Sequence, residues 1–149
     1  MSQENVEMVK RVQPSGVDLV PLFRTSTPPD PAATGIDVTA FASDFETEFI
    51  ARRTFGSIRP RTFHGLQGFG ESWRDWLEPW ESYYIEAEEF IDAGDDVVVL
   101  LHEHRRGRGS GVELEAKTAV VVAVSGGRVV RIQGYMDRAA ALEAAGLSE

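Results

Sequence analysis

His102 and His104 stand two residues apart, as do Tyr135 and Asp137. Such groups could serve acyl, enol or epoxide chemistry. That chemistry needs a carboxylate or histidine in an apolar wall, where its pKa moves toward neutrality. A tyrosine or tryptophan opposite would stabilise an oxyanion. His102 or Asp137 is the expected base, and Tyr135 or Tyr84 the expected donor. Glu46 and Glu48 are further carboxylates on an early strand. Each has an ordinary alternative. Asp137 has a sufficient task as a helix N-cap, and Glu46 and Glu48 suit a solvated strand face. Two histidines at i, i+2 without a third ligand nearby are a weak metal signal, so no metal is expected. Cysteine is absent, which excludes thiol nucleophiles, disulfides and thiolate metal sites. There is no phosphate loop, nucleophile elbow or dinucleotide fingerprint, because the glycine-rich segments join strand to strand. No cofactor is expected.

The elements that would position these groups begin with a three-strand meander over residues 97–105, 112–124 and 128–136. Gly107-Arg108-Gly109-Ser110-Gly111 joins the first two strands and Ser125-Gly126-Gly127 the last two. Aliphatic strands with glycine-rich junctions are the hairpin signature. Register decides where His102 points. In the second strand Val112, Leu114, Ala116, Thr118, Val120 and Val122 read as inward, since the odd positions include Glu113, Glu115 and Lys117. If even residues pair with even, His102 lies beside Ala116 and faces inward. If Arg108-Gly109 is a two-residue turn, His102 lies opposite Glu115 and faces out. A slip of one residue reverses every side chain, so both remain open. The cluster Arg105, Arg106 and Arg108 reads as a solvated hairpin tip.

A meander needs a cover for its apolar face. Residues 2–12 predict a helix, with Ser2 as N-cap and Val6, Val9 and Val12 as a stripe. Pro14-Ser15-Gly16 breaks it, and a second short helix follows with Val17, Val20, Leu22 and Phe23 apolar. Residues 25–35, holding Pro28, Pro29 and Pro31, predict a loop within one domain. Residues 36–42 predict a helical turn or two, 45–49 a half-buried strand and 62–64 a short extended piece. Residues 68–78 predict a helix with Phe69, Trp73, Trp76, Leu77 and Trp80 on one face, stopped by Pro79. The tryptophans either lid the core or line a cavity. In the second case Trp73, Trp76, Trp80 and Tyr84 are the ligand-binding residues. Residues 83–93 predict a strand with Tyr83, Ile85, Ala87 and Ile91 on one face. Residues 138–145 predict a closing helix, capped by Asp137 and stopped by Gly146.

At 149 residues the chain reads as one domain, 1–149, long enough for a sizeable core. Its net charge of −9 argues against nucleic acid and anionic membranes as partners. The polar start Met-Ser-Gln-Glu-Asn has no apolar core of a signal peptide, and no apolar run nears a membrane span. Together with the lack of cysteine, this predicts a cytoplasmic protein.

The order of elements resembles the NTF2-like superfamily, and within it the bacterial SnoaL-like proteins. The residues that carry the likeness are Met1-Ser2-Gln3-Glu4-Asn5-Val6-Glu7, Phe90-Ile91-Asp92-Ala93-Gly94-Asp95 and Arg106-Gly107-Arg108-Gly109-Ser110-Gly111-Val112-Glu113. To these add Tyr135-Met136-Asp137-Arg138 and Ala141-Leu142-Glu143-Ala144-Ala145-Gly146-Leu147. The resemblance implies an α+β fold: a cone-shaped curved antiparallel sheet packed on N-terminal helices, the NTF2-like or cystatin-like α+β roll. It implies an internal pocket and a homodimer through the sheet's outer face. Family activities range from ketosteroid isomerase, epoxide hydrolase, polyketide cyclase and dehydratase to non-catalytic binders, so fold does not select one. The chain departs from the family in its long proline-rich stretch, and in Val120 and Val122, where many relatives carry a histidine and a tryptophan.

Two functions are therefore expected in turn. The first is a SnoaL-like protein binding a small apolar, polyketide-like or steroid-like molecule. The second is a cofactor-independent isomerase, cyclase or hydrolase using a pocket His or Asp with a Tyr donor. A cavity holding a titratable group within reach of a tyrosine favours the enzyme. A cavity lined by carbon, or filled by the tryptophans, favours the binder or a structural role.

Overall fold

Val97, Val98 and Val99 are all fully buried, so the strand that carries them is covered on both faces. That strand sits within a six-stranded sheet. The computed structural model describes residues 2–24, 36–50 and 62–147. The proline-rich stretch 25–35 lies outside the described residues, as do the side chains of Ser2 and Glu48.

Helix α1 (Ser2–Lys10) and helix α2 (Leu19–Arg24) come first. A 3-10 turn (Val38–Ala40) leads into β1 (Phe41–Ile50). Then come β2 (Thr62–His64), α3 (Gly65–Leu77), β3 (Trp80–Ala93), β4 (Asp96–Gly107), β5 (Glu113–Ser125), β6 (Arg128–Tyr135) and α4 (Arg138–Ala144). The sheet order is β2-β1-β6-β5-β4-β3. Its two ends do not pair, so the sheet curves without closing. All pairs are antiparallel except β1–β6, which is parallel. The antiparallel expectation missed that pair because only short hairpins force direction on their strands. β1 reaches β6 from the far end of the chain.

Gly126 and Gly127 form the two-residue turn between β5 and β6, with φ of 61° and 76°. Such a turn needs positive φ at both positions, which glycine supplies without steric cost.

Two apolar layers flank the sheet. The inner one gathers Val6, Val9 and Val12, Leu19, Val20 and Phe23 from the N-terminal helices, and Phe69 and Leu77 from α3. These pack on Phe45, Tyr83, Ile85, Val97, Val99, Leu101, Val120, Val122 and Val129. The outer layer is smaller: Val98, Ala119, Val121 and Tyr135 under Ala141 of α4. The Val6, Val9, Val12 stripe is thus wholly buried, although the helix ends at Lys10 and Val12 lies in the turn after it.

Two sequence expectations change along β3. Trp80 belongs to this strand, opposite Gly107, and not to the preceding helix. Pro79 stops the helix and extended backbone begins at once. The pairing of β3 with β4 also shifts between Ala87 and Glu89. Beyond that bulge the alternation reverses: Phe90 packs on the inner core and Ile91 on the outer one.

Candidate functional site

The inner faces of β3, β4 and β5 hold a buried polar network. Arg106 pairs with Glu113 and His102 with Lys117, so odd residues of β4 face even residues of β5. Val97, Val99 and Leu101 therefore point inward, and Glu103 and Arg105 follow them. Glu103 is 5% exposed and Arg105 8%. The Tyr83 hydroxyl donates to Glu103 Oε1 at 2.6 Å and Thr118 Oγ1 donates to Oε2 at 2.8 Å. Arg105 donates through Nε at 2.9 Å and also through Nη2, both to Glu103 Oε1. Trp76 Nε1 donates to the Tyr83 hydroxyl at 2.7 Å.

The carboxylate thus accepts four hydrogen bonds, three at Oε1 and one at Oε2. The Arg105 guanidinium lies 5.3 Å from the Trp80 ring centre and 5.1 Å from that of Tyr83, within cation–π range. Burial, and then the negative charge of Glu103, push the Tyr83 hydroxyl far above the usual tyrosine range. The backbone amide of Tyr83 is held in turn by Asp18 Oδ1 at 3.0 Å, which also accepts from Val20 N at the start of α2.

The aromatic helix closes over this network. Trp73 stacks on Phe23 at 5.6 Å and meets Tyr83 edge-on at 6.1 Å. Trp80 meets Tyr83 edge-on at 6.0 Å. All three tryptophans are partly buried against the inner core. Toward the β4–β5 hairpin the cover thins: Ala116, opposite Glu103, is half-buried and Leu114, opposite Arg105, is 47% exposed. At the same end a cavity of about 210 Å³ is lined by Val20, Arg74, Leu77, Glu78 and Arg108. None of the expected site residues lines it.

Those residues lie elsewhere. His102 and His104 are on the outer face of β4, beside Glu86 and Tyr84 of β3. The four residues 108–111 turn the hairpin, which gives the parity of the outward alternative with His102 opposite Lys117. Tyr135 is buried in the outer layer under α4. Asp137 caps α4, its Oδ1 accepting from Ala139 N at 2.9 Å. Tyr84 is 41% exposed on the outer face. Glu46 is half-buried on β1, between His64 and Arg131 in register. The expected base and donor are therefore not brought together on the concave side. Arg105 also leaves the solvated tip expected of it, since its odd position turns it inward toward Glu103. Arg106 and Arg108 do remain at the surface, paired with Glu113 and Glu78.

No protein-family model matches the sequence, nor does any curated protein. Solved structures do match. A candidate SnoaL-like polyketide cyclase from Jannaschia sp. CCS1 aligns with a TM-score of 0.63 at 16% identity, over 99% of this chain and 95% of that one. An NTF2-like protein from Burkholderia pseudomallei aligns with a TM-score of 0.61 at 19% identity, over 94% and 95%. This chain has the NTF2-like fold. TerC, crystallised with polyporic acid, aligns over 96% of this chain and 98% of that one, with a TM-score of 0.61 at 18% identity. In this NTF2-like chain the helices pack on the concave side, and the polar residues clustered there include Tyr83, Glu103, Arg105 and Thr118.

A sequence signal for them did exist. Val97, Val99, Leu101, Glu103 and Arg105 alternate along one strand, an aliphatic run ending in an opposite-charge pair at i, i+2. No helix among the described residues is long and apolar enough to cross a membrane.

Proposed function

We propose that this chain binds a small apolar molecule of polyketide-like or steroid-like character in the cone. Trp76, Trp80, Ala116 and Leu114 supply the apolar bed, and Arg105 and Tyr83 the polar floor. The observation that carries this reading is the engagement of both Glu103 oxygens by buried donors. A carboxylate near a tyrosine would favour acid–base catalysis, but this one already accepts from Tyr83, Thr118 and twice from Arg105. Both of its oxygens already accept hydrogen bonds and its charge is paired with Arg105, so in this reading it positions donors instead of abstracting protons. The half-exposed Leu114 beside it supports entry from the hairpin end.

A thermal-shift screen of lipophilic ketones, lactones and epoxides tests this, with hits then assayed for turnover. Binding should quench tryptophan fluorescence and weaken at least tenfold in Arg105→Met or Leu114→Glu. No saturable hit, or hits indifferent to both changes, overturns the reading. Turnover that vanishes in Tyr83→Phe would favour instead the isomerase, cyclase or hydrolase, with Glu103 and Tyr83 in the roles expected of Asp137 or His102 and Tyr135. The reading includes a homodimer and a cytoplasmic location. Sedimentation at micromolar concentration tests the first, and a monomer would remove it.

A further inference from the structure

On the outer face, β3, β4 and β5 bring together side chains that the concave site does not use. His102 and His104 share one face of β4, and their ring centres lie 4.5 Å apart. Glu86 of β3 stands directly opposite His102. Nitrogen atoms of both rings and a carboxylate oxygen of Glu86 all lie within 4.8 Å of one another. Glu115 of β5 stands opposite His104. Its Oε1 is 3.2 Å from His102 Nε2 and its Oε2 is 3.7 Å from His104 Nδ1.

We propose that His102, His104 and Glu86, completed by Glu115, form a site for a divalent transition metal of the zinc class. The donor set is two imidazoles and two carboxylates, which suits zinc, copper(II) or nickel and not calcium or magnesium. Four-coordinate zinc at about 2.0–2.2 Å from each donor keeps the donors roughly 3.4 Å apart. With neutral imidazoles, the two carboxylates balance the charge of the ion.

Charge on the neighbouring groups favours the site. Of the cations on this face, Lys117 and Arg138 turn to Glu88, at 3.9 Å and 2.7 Å, and Arg106 turns to Glu113 at 2.6 Å. Glu88 also approaches His102 Nδ1 at 3.7 Å, on the side of the ring away from Nε2 and Glu115. Among the described residues the Glu86 carboxylate has no ion pair, and Glu115 pairs only with the two histidines. A simple cross-strand pair would need one carboxylate per histidine. Here two rings converge on a shared Glu115 with a further unpaired acid beside them.

The chain has three histidines and no cysteine, so the test is clean. Tag-free, metal-stripped protein is titrated with zinc chloride by calorimetry, and cobalt(II) loading is followed by its visible bands. One ion per chain should bind, with four-coordinate cobalt bands. The double variant His102→Ala, His104→Ala should lose at least about a hundredfold in affinity, and Glu86→Gln about tenfold. His64→Ala, on β2, should bind like the wild type. Zinc should raise the Tm of the wild type and not that of the double variant. Circular dichroism establishes that the variants fold, which their partly exposed positions favour. Absence of saturable binding up to millimolar zinc overturns the site. So does wild-type affinity in the double variant, or equal loss in His64→Ala.

Discussion

The hydroxyl of Tyr83 lies 2.6 Å from Glu103 Oε1 and donates to it, in the buried layer between sheet and helices. Three further side chains are arranged around that bond. Arg105 neutralises the carboxylate, Thr118 takes its second oxygen, and Trp76 supplies the tyrosine oxygen with a donor.

Breaking the ion pair from one side should therefore be severe. Glu103→Ala strands a buried guanidinium and is expected to cost about 3–5 kcal/mol in urea unfolding. Replacing both partners, as Glu103→Leu with Arg105→Met, should restore most of that, because an apolar pair leaves no charge uncompensated. A loss below about 1 kcal/mol in Glu103→Ala would mean that water reaches the pair.

Alkaline pH should act through Tyr83. Its folded pKa is raised above the ordinary 10.0, so above that pH the native state holds a proton that the unfolded chain releases. The stabilising contribution is whole below pH 10.0 and falls as pH rises toward the folded value. Ultraviolet titration should show that Tyr83 ionises only on unfolding. Tyr83→Phe should remove both that lag and the alkaline slope of stability.

Acid should act on the outer face through Glu88. The hydrogen bond from Arg138 holds its carboxyl below the usual value of 4.5, aided by Lys117. A depressed folded pKa gives stability that is present above the ordinary value and lost as pH falls through the folded one. In denaturation curves from neutral pH downward, Glu88→Gln should be less stable than the wild type near neutrality. The gap should narrow below pH 4.5. A constant gap would mean that the Arg138 bond is not charge-dependent.

Trp76→Phe keeps the packing of the aromatic helix and deletes one donor. It should cost about 0.5–1.5 kcal/mol, the net worth of a single hydrogen bond. Tryptophan emission should also change, since Trp76 is the indole bonded to Tyr83. An unaltered spectrum and stability would place that indole outside the network.

Period and punctuation made much of the fold legible. Val6, Val9 and Val12, the alternation through the three meander strands, Pro79 and the Gly126-Gly127 turn each express a local rule of backbone geometry. The cap at Asp137 was legible for the same reason, because its partner lies two residues away.

What local rules could not carry was parity. The hairpin at residues 108–111 admitted turns of either length, and one residue of slip exchanges the faces of β4. Only the paired strands turned Glu103 and Arg105 inward and His102 and His104 outward, and only they set Glu86 and Glu115 beside the histidines. The sequence by itself determined which elements form and which residues alternate along them. Tertiary structure decided which face of each strand met the helices, because that depends on contacts between segments far apart in the chain.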